Sequence, residues 1–116
     1  MPGPYVNVHR MARISPTKVR PVVDQIRGKK VGDAMAVLEL SSRRGAALVL
    51  RCLDAAVGNA QNKDELSNAE TQRLVVADVR VDSGPTIKRW QPKDRGRAHP
   101  ILKRTSHITL ALDLPK

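Results

Sequence analysis

Phenylalanine is absent from this chain of 116 residues, and Tyr5 and Trp90 are its only aromatics. Any core must be filled by Val, Leu, Ile, Ala and Met, which reach native density without aromatic help. One cysteine, Cys52, excludes an internal disulfide and fits a reducing compartment. No apolar run approaches the roughly 18 residues that cross a bilayer. The N-terminus, MPGPYVNVHR, lacks the basic-then-apolar order of a secretory signal. A cytosolic, soluble protein is expected.

Catalytic constellations are missing too. His9, His99 and His107 have no metal-ligand spacing to one another or to Cys52. No glycine-rich phosphate loop occurs, and no pair of carboxylates in an apolar setting. Neither an enzyme nor a bound metal or cofactor is expected. Cys52 sits in an apolar helical pattern and reads as a small buried hydrophobe.

What is present is positive charge, unevenly placed. The 21 Lys and Arg outnumber 11 Asp and Glu, for a net charge of +10. Residues 1–30 hold a net +6, residues 31–81 a net −1 and residues 82–107 a net +5. A near-neutral middle is thus flanked by two cationic stretches, whose self-repulsion disfavours a compact state unless a polyanion neutralises it. Nucleic acid is the expected partner. An anionic membrane is the alternative that would require an amphipathic basic helix, and no membrane partner is expected.

The chain is short enough for one domain, residues 1–116. Residues 5–11, YVNVHRM, set Val6 and Val8 against Asn7 and His9 and suggest a short strand. Ser15-Pro16 starts a helix, with the serine hydroxyl placed to cap it and proline costing no hydrogen bond at the first position. Val19, Val22, Val23 and Ile26 follow at helical spacing, Pro21 dents the helix, and Gly28 offers a left-handed stop. Residues 32–40 make a second helix with Ala34, Val37 and Leu38 inward. Residues 43–61, begun by Ser41-Ser42, make the longest, with Ala46, Val49, Leu50, Leu53, Ala56, Val57 and Ala60 inward. NKDELSNAET reads as a surface connection. Two strands come last. Val75, Ala77, Val79 and Val81 form the apolar face of one, and Ile108, Leu110, Leu112 and Leu114 that of the other. The fold class is α+β: three helices on a small, mostly antiparallel three-stranded sheet, with a long protruding β-hairpin.

That hairpin is inferred from an excess of chain. Two adjacent antiparallel strands need a connection of two to five residues, and residues 83–104 are far longer. A floppy loop would not contain Thr86-Ile87, Trp90 and Ile101-Leu102; a lid would cover an active site, and none is near. A two-stranded ribbon turning at Asp94-Arg95-Gly96 fits, with Gly96 at positive φ. About ten residues per arm at roughly 3.3 Å each give a finger of about 30 Å. Pro92 and Pro100 interrupt its pairing, and its Lys and Arg repel, so polyanion is needed to order it. Arginine forks suit phosphates, and Trp90 either stacks on an unpaired base or packs at the ribbon's base. A helix-turn-helix DNA-binding module is the rival reading. GDAMAVLEL carries almost no base-reading side chains, and a recognition helix leaves the basic ribbon unexplained.

RISPTKVRPVVDQIRGK resembles the first-helix signature of the large-subunit ribosomal protein L-twenty-two family. VDSGPTIKRWQPKDRGRAHPILKRTSHITLAL resembles its hairpin and final strand, and the resemblance spans residues 5–114. It implies a body at 5–83 and 104–114 with an extended hairpin at 84–103. It implies a structural constituent of the large ribosomal subunit that binds its RNA directly, assists assembly and lines the nascent-chain exit tunnel. The implied partners are large-subunit ribosomal RNA, other large-subunit proteins including ribosomal protein L-four, and the nascent polypeptide. Lys88, Arg89, Trp90, Lys93, Asp94, Arg95 and Arg97 would form the tunnel-lining tip. RNA would meet Arg10, Arg13, Ser15, Lys18, Arg20, Arg27, Lys29 and Lys30 around the first helix. In the hairpin it would meet Lys88, Arg89, Trp90, Lys93, Arg95, Gly96 and Arg97, then Lys103, Arg104, Thr105, Ser106 and His107 on the returning arm. Asp94, Pro100 and Pro21 depart from the family's pattern.

Overall fold

A computed structural model describes residues 5–93 and 97–114 of the chain. Its elements run β1 (Tyr5–Ala12), α1 (Pro16–Ile26), α2 (Val31–Leu40), α3 (Arg44–Asp64) and α4 (Asn68–Gln72). Then follow β2 (Val75–Ser83), β3 (Ile87–Lys93), β4 (Arg97–Lys103) and β5 (Ser106–Asp113). The last strand lies in the middle of the sheet, in the order β1-β5-β2, and both pairings are antiparallel. Ile108, Leu110 and Leu112 of β5 are wholly buried. Each such side chain removed from water stabilises the fold by about 1.5–3 kcal/mol. The α+β class and the helices on a three-stranded sheet are as the periodicity predicts.

The phase of the flanking strands differs from the simple alternation. In β2, Val76 opposes Leu112 while Asp78 opposes Ala111, so Ala77 is the extra residue of a β-bulge. Val76, Val79 and Val81 are buried and Ala77 is exposed; past the bulge the pattern is the expected one, before it the faces exchange. In β1, Asn7 pairs with Leu110 and His9 with Ile108. Paired residues share a face, so the polar set of β1 lies on the helix side and Val8 is 41% exposed. The Asn7 amide donates to Cys52 Sγ at 3.4 Å, which gives it a partner there. Leu114, expected inward, lies past the end of β5 and is 58% exposed.

α1 begins with Pro16 and buries Val19, Val22, Val23 and Ile26. It runs unbroken through Pro21, which is exposed. Ser15 occupies the cap position without capping; its hydroxyl lies 3.2 Å from that of Thr17. Gly28 takes φ +82°. Its N–H donates to Val76 O at 3.0 Å and Val76 N–H to Lys29 O at 2.9 Å, so the α1–α2 link runs beside β2. α3 presents Gly45, Ala46, Val49, Cys52, Leu53, Ala56 and Ala60 to the core. Leu50 and Val57, expected inward, are only partly buried at its margin. The stretch read as a connection contains α4, whose Ser67 hydroxyl accepts from Glu70 N–H while Glu70 Oε1 lies 3.1 Å from it. The serine thus caps the helix and its own hydroxyl is held by the Glu70 carboxylate.

β3 and β4 form their own two-stranded sheet, in register from Ile87 opposite Lys103 to Lys93 opposite Arg97. The principal extents of 61 × 25 × 19 Å reflect a long projecting shape. The ribbon does not continue the main strands: Gly84–Thr86 and Arg104–Thr105 separate it from β2 and β5. Nor do the prolines interrupt it. Pro92 pairs with Ala98 and Pro100 with Trp90, both in the same alternate set of pairs. A ribbon of two strands has outward-facing N–H positions on both edges, where proline removes no ladder bond.

Candidate nucleic-acid interface

Three segments far apart in sequence meet where the hairpin leaves the body. They are the approach to α1, the start of α3, and the return from β4 to β5. Hydrogen bonds join the approach to α1 and the lead into β3 to the returning arm. The Ser106 hydroxyl donates to Ile14 O at 2.5 Å, and both partners are buried. The Thr105 hydroxyl donates to Pro85 O at 2.6 Å, and Gly84 N–H to Thr105 O at 2.9 Å. Met11 N–H donates to His107 Nδ1 at 3.1 Å. Gly84 lies under this network, since a Cβ there would stand 2.5 Å from Thr105 Oγ1 and 3.2 Å from the His107 ring.

Around that junction opens a groove of about 880 Å³. Arg13 lines it from the approach to α1 and Lys18 from α1 itself, Arg43 and Arg44 from the start of α3, and Lys103 and Arg104 from the returning arm; no carboxylate is among the described residues that line it. All six cations are exposed. Neither α1 nor α3 has an acidic residue in its first turn. Cations there oppose the helix dipole at a cost of about 0.3–1 kcal/mol each. The two helix starts are also close, because Gly45 packs against the backbone of Lys18 and Val19. Ile14, Ile87 and Leu102 supply an apolar lining.

The sequence-predicted residues divide on this geometry. Arg13, Ser15, Lys18, Lys103, Arg104 and Thr105 come together in the groove. Thr105 and Ser106 are buried with their hydroxyls engaged inside the protein, so they shape the groove and offer no hydroxyl to a phosphate. Arg27 is taken up as a clamp: it donates to Asp24 Oδ1 at 2.6 Å and to Val79 O at 2.7 Å, tying α1 to β2. Arg10, Arg20, Lys29 and Lys30 are exposed elsewhere on the body, and Lys88 is exposed on β3. Asp94, Arg95 and Gly96 lie outside the described residues, as do the side chains of Arg89, Trp90, Lys93 and Arg97. Arg43 and Arg44 escaped the sequence reading because they stand in the near-neutral middle. The available signal was SSRRG, two arginines where a helix start favours carboxylates.

Cys52 is buried and unpaired, and burial raises its pKa above the ordinary thiol value despite a lowering contribution from Asn7. Among the described residues no group of His, Cys, Asp or Glu could hold a metal ion, and no helix is long and apolar enough to cross a membrane.

Residues 7–113 match the profile of the family described as "Ribosomal protein L22p/L17e". A protein of Desulfitobacterium hafniense (strain Y51) named "Large ribosomal subunit protein uL22" is 47% identical over 105 residues, 90% of each chain. The protein of that name in Clostridium novyi (strain NT) is 42% identical over 90% of this chain and 92% of its own. That of Rubrobacter xylanophilus (strain DSM 9941 / JCM 11954 / NBRC 16129 / PRD-1) is 47% identical over 94% and 84%.

Proposed function

The chain belongs to the ribosomal protein L22p/L17e family, and from that premise we propose that it binds large-subunit ribosomal RNA directly through the basic groove and the hairpin. Family membership makes it a structural ribosomal protein of the large subunit, and not an enzyme. Its place is therefore in cytoplasmic ribosomes. One observation carries the RNA reading: six cations from three remote segments line a single groove among the described residues, with no carboxylate beside them. Phosphates supply the missing charge, and release of their counterions drives the association. The projecting ribbon, from Ile87–Lys93 to Arg97–Lys103, extends the contact into folded RNA and lines the nascent-chain tunnel with its tip, near ribosomal protein L-four. By clamping RNA segments at body and ribbon together, the protein assists their assembly.

Binding of the full chain to a large-subunit ribosomal RNA fragment and to random duplex DNA, across a salt series, tests this. RNA preference is expected, with affinity falling by roughly 0.7–0.9 log units per tenfold rise in salt for each phosphate contact. The double charge reversal Arg43→Glu with Arg44→Glu should weaken RNA binding at least about tenfold and flatten the slope. Equal affinity for the duplex DNA at physiological salt would refute the reading. A photo-crosslinker at Lys93 that never reaches nascent chain in translating ribosomes would refute the tunnel placement alone.

A further inference from the structure

We propose that the groove takes an unpaired RNA nucleotide, with its base against the apolar lining and its flanking phosphates on the basic rim. The inference rests on the RNA-binding reading above and deepens it, because phosphate contacts alone would not need a hollow. An A-form helix presents a wide, shallow minor groove and a regular backbone. A duplex lying across the rim would meet Arg43, Arg44, Lys103 and Arg104 and leave the concavity below it empty. Yet the concavity is about 880 Å³, within the size range of small-ligand sites, about 300–1,000 Å³. Its wall includes Leu102, 48% exposed, and the half-buried Ile87. These side chains sit at the root of a ribbon that is otherwise rich in Lys and Arg, beside Lys103 and Arg104.

A large apolar side chain left open beside a ring of cations fits a ligand that is flat and apolar on its faces but anionic on its backbone. An unpaired nucleotide has those properties; a free phosphate has only the second, and a peptide segment would not call for six cations. Arginine guanidinium planes also stack on bases, and Arg43, Arg44 and Arg104 surround the opening. The buried Ser106–Ile14 and part-buried Thr105–Pro85 hydrogen bonds fix the walls in advance of binding, so little ordering cost falls on the protein.

The test uses the full chain and two RNA hairpins of equal length, one with a single unpaired 2-aminopurine and one with that base paired. Anisotropy gives the affinities, and 2-aminopurine emission reports whether the base changes surroundings. A base sheltered against Ile87 and Leu102 should make the unpaired hairpin bind about tenfold tighter, about 1.4 kcal/mol, with a change in emission. Leu102→Ser should erase most of that preference while changing affinity for the paired hairpin less than about twofold. Ile87→Thr should do the same to a smaller degree. Arg43→Ala with Arg44→Ala should weaken both hairpins, the unpaired one at least as much as the paired. Equal affinity for the two hairpins, or a preference unaffected by Leu102→Ser, with the ribosomal RNA fragment still bound, would overturn this inference and leave the RNA reading standing. Failure to bind either hairpin and the ribosomal RNA fragment as well would overturn both.

Discussion

The body and the hairpin obey different rules of stability. In the body, β1, α1, α2, α3, β2 and β5 all contribute side chains to one mostly aliphatic cluster, from Tyr5 in β1 to Leu112 in β5. In the hairpin, backbone pairing joins β3 to β4, and at its root Ile87, Lys88, Leu102 and Lys103 all lie outside the buried core. A free two-stranded ribbon is marginal in water. The body is held by burial and would keep its shape alone. The hairpin is specified by the pairing of its two strands. Between them stands the junction at Gly84, Thr105, Ser106 and His107, which transmits the body's rigidity to the ribbon's root.

The sharpest way to break this comparison is to cut into each half. Leu110→Ala in the sheet should cost about 2–5 kcal/mol, read as a large fall in denaturant midpoint. Deleting residues 88–97 should leave the thermal transition nearly where it was while reducing RNA affinity. A deletion that collapsed the transition would place the ribbon in the core. Gly84→Ala addresses the junction: the new Cβ would meet the Thr105 hydroxyl and the His107 ring, at a cost of about 1–3 kcal/mol. Gly45→Ala, where the nearest atoms stand at 3.5 Å, should be tolerated by comparison. Arg27→Ala should cost about 1 kcal/mol at most, since the Asp24 pair is exposed and only the bond to Val79 O is partly buried. Smallest of all, Cys52 should resist thiol reagents in the folded protein and react at the normal rate in denaturant. The buried thiol with its raised pKa offers little thiolate to attack. Amide exchange sharpens the same contrast, with faster exchange expected in Ile87–Lys93 and Arg97–Lys103 than in Ser106–Asp113.

Helices α1, α2 and α3 were legible because apolar spacing and proline or glycine punctuation are local signals. α4 was overlooked although Ser67 and Glu70 spell a capping box, because five polar residues give no apolar period to read. The groove was half legible. Arg13, Lys18, Lys103 and Arg104 stand in basic runs; Arg43 and Arg44 do not, and only the packing of α3 on α1 brings them in. Thr105 and Ser106 look like phosphate-binding hydroxyls in the sequence, and burial turns them inward.

From the order of residues alone came the α+β class, a two-stranded ribbon with arms on either side of 94–96, and the crowding of positive charge into it, because hydrophobic period, turn residues and net charge are properties of neighbours along the chain. Which face of β1 looks inward, where β2 slips at Ala77, that Arg27 serves the fold, and that cations from three segments share one hollow were decided only by the tertiary structure. Those facts depend on which atoms share the same space and find each other as hydrogen-bond partners, and residues such as Ile14 and Ser106 become neighbours only once the chain has folded.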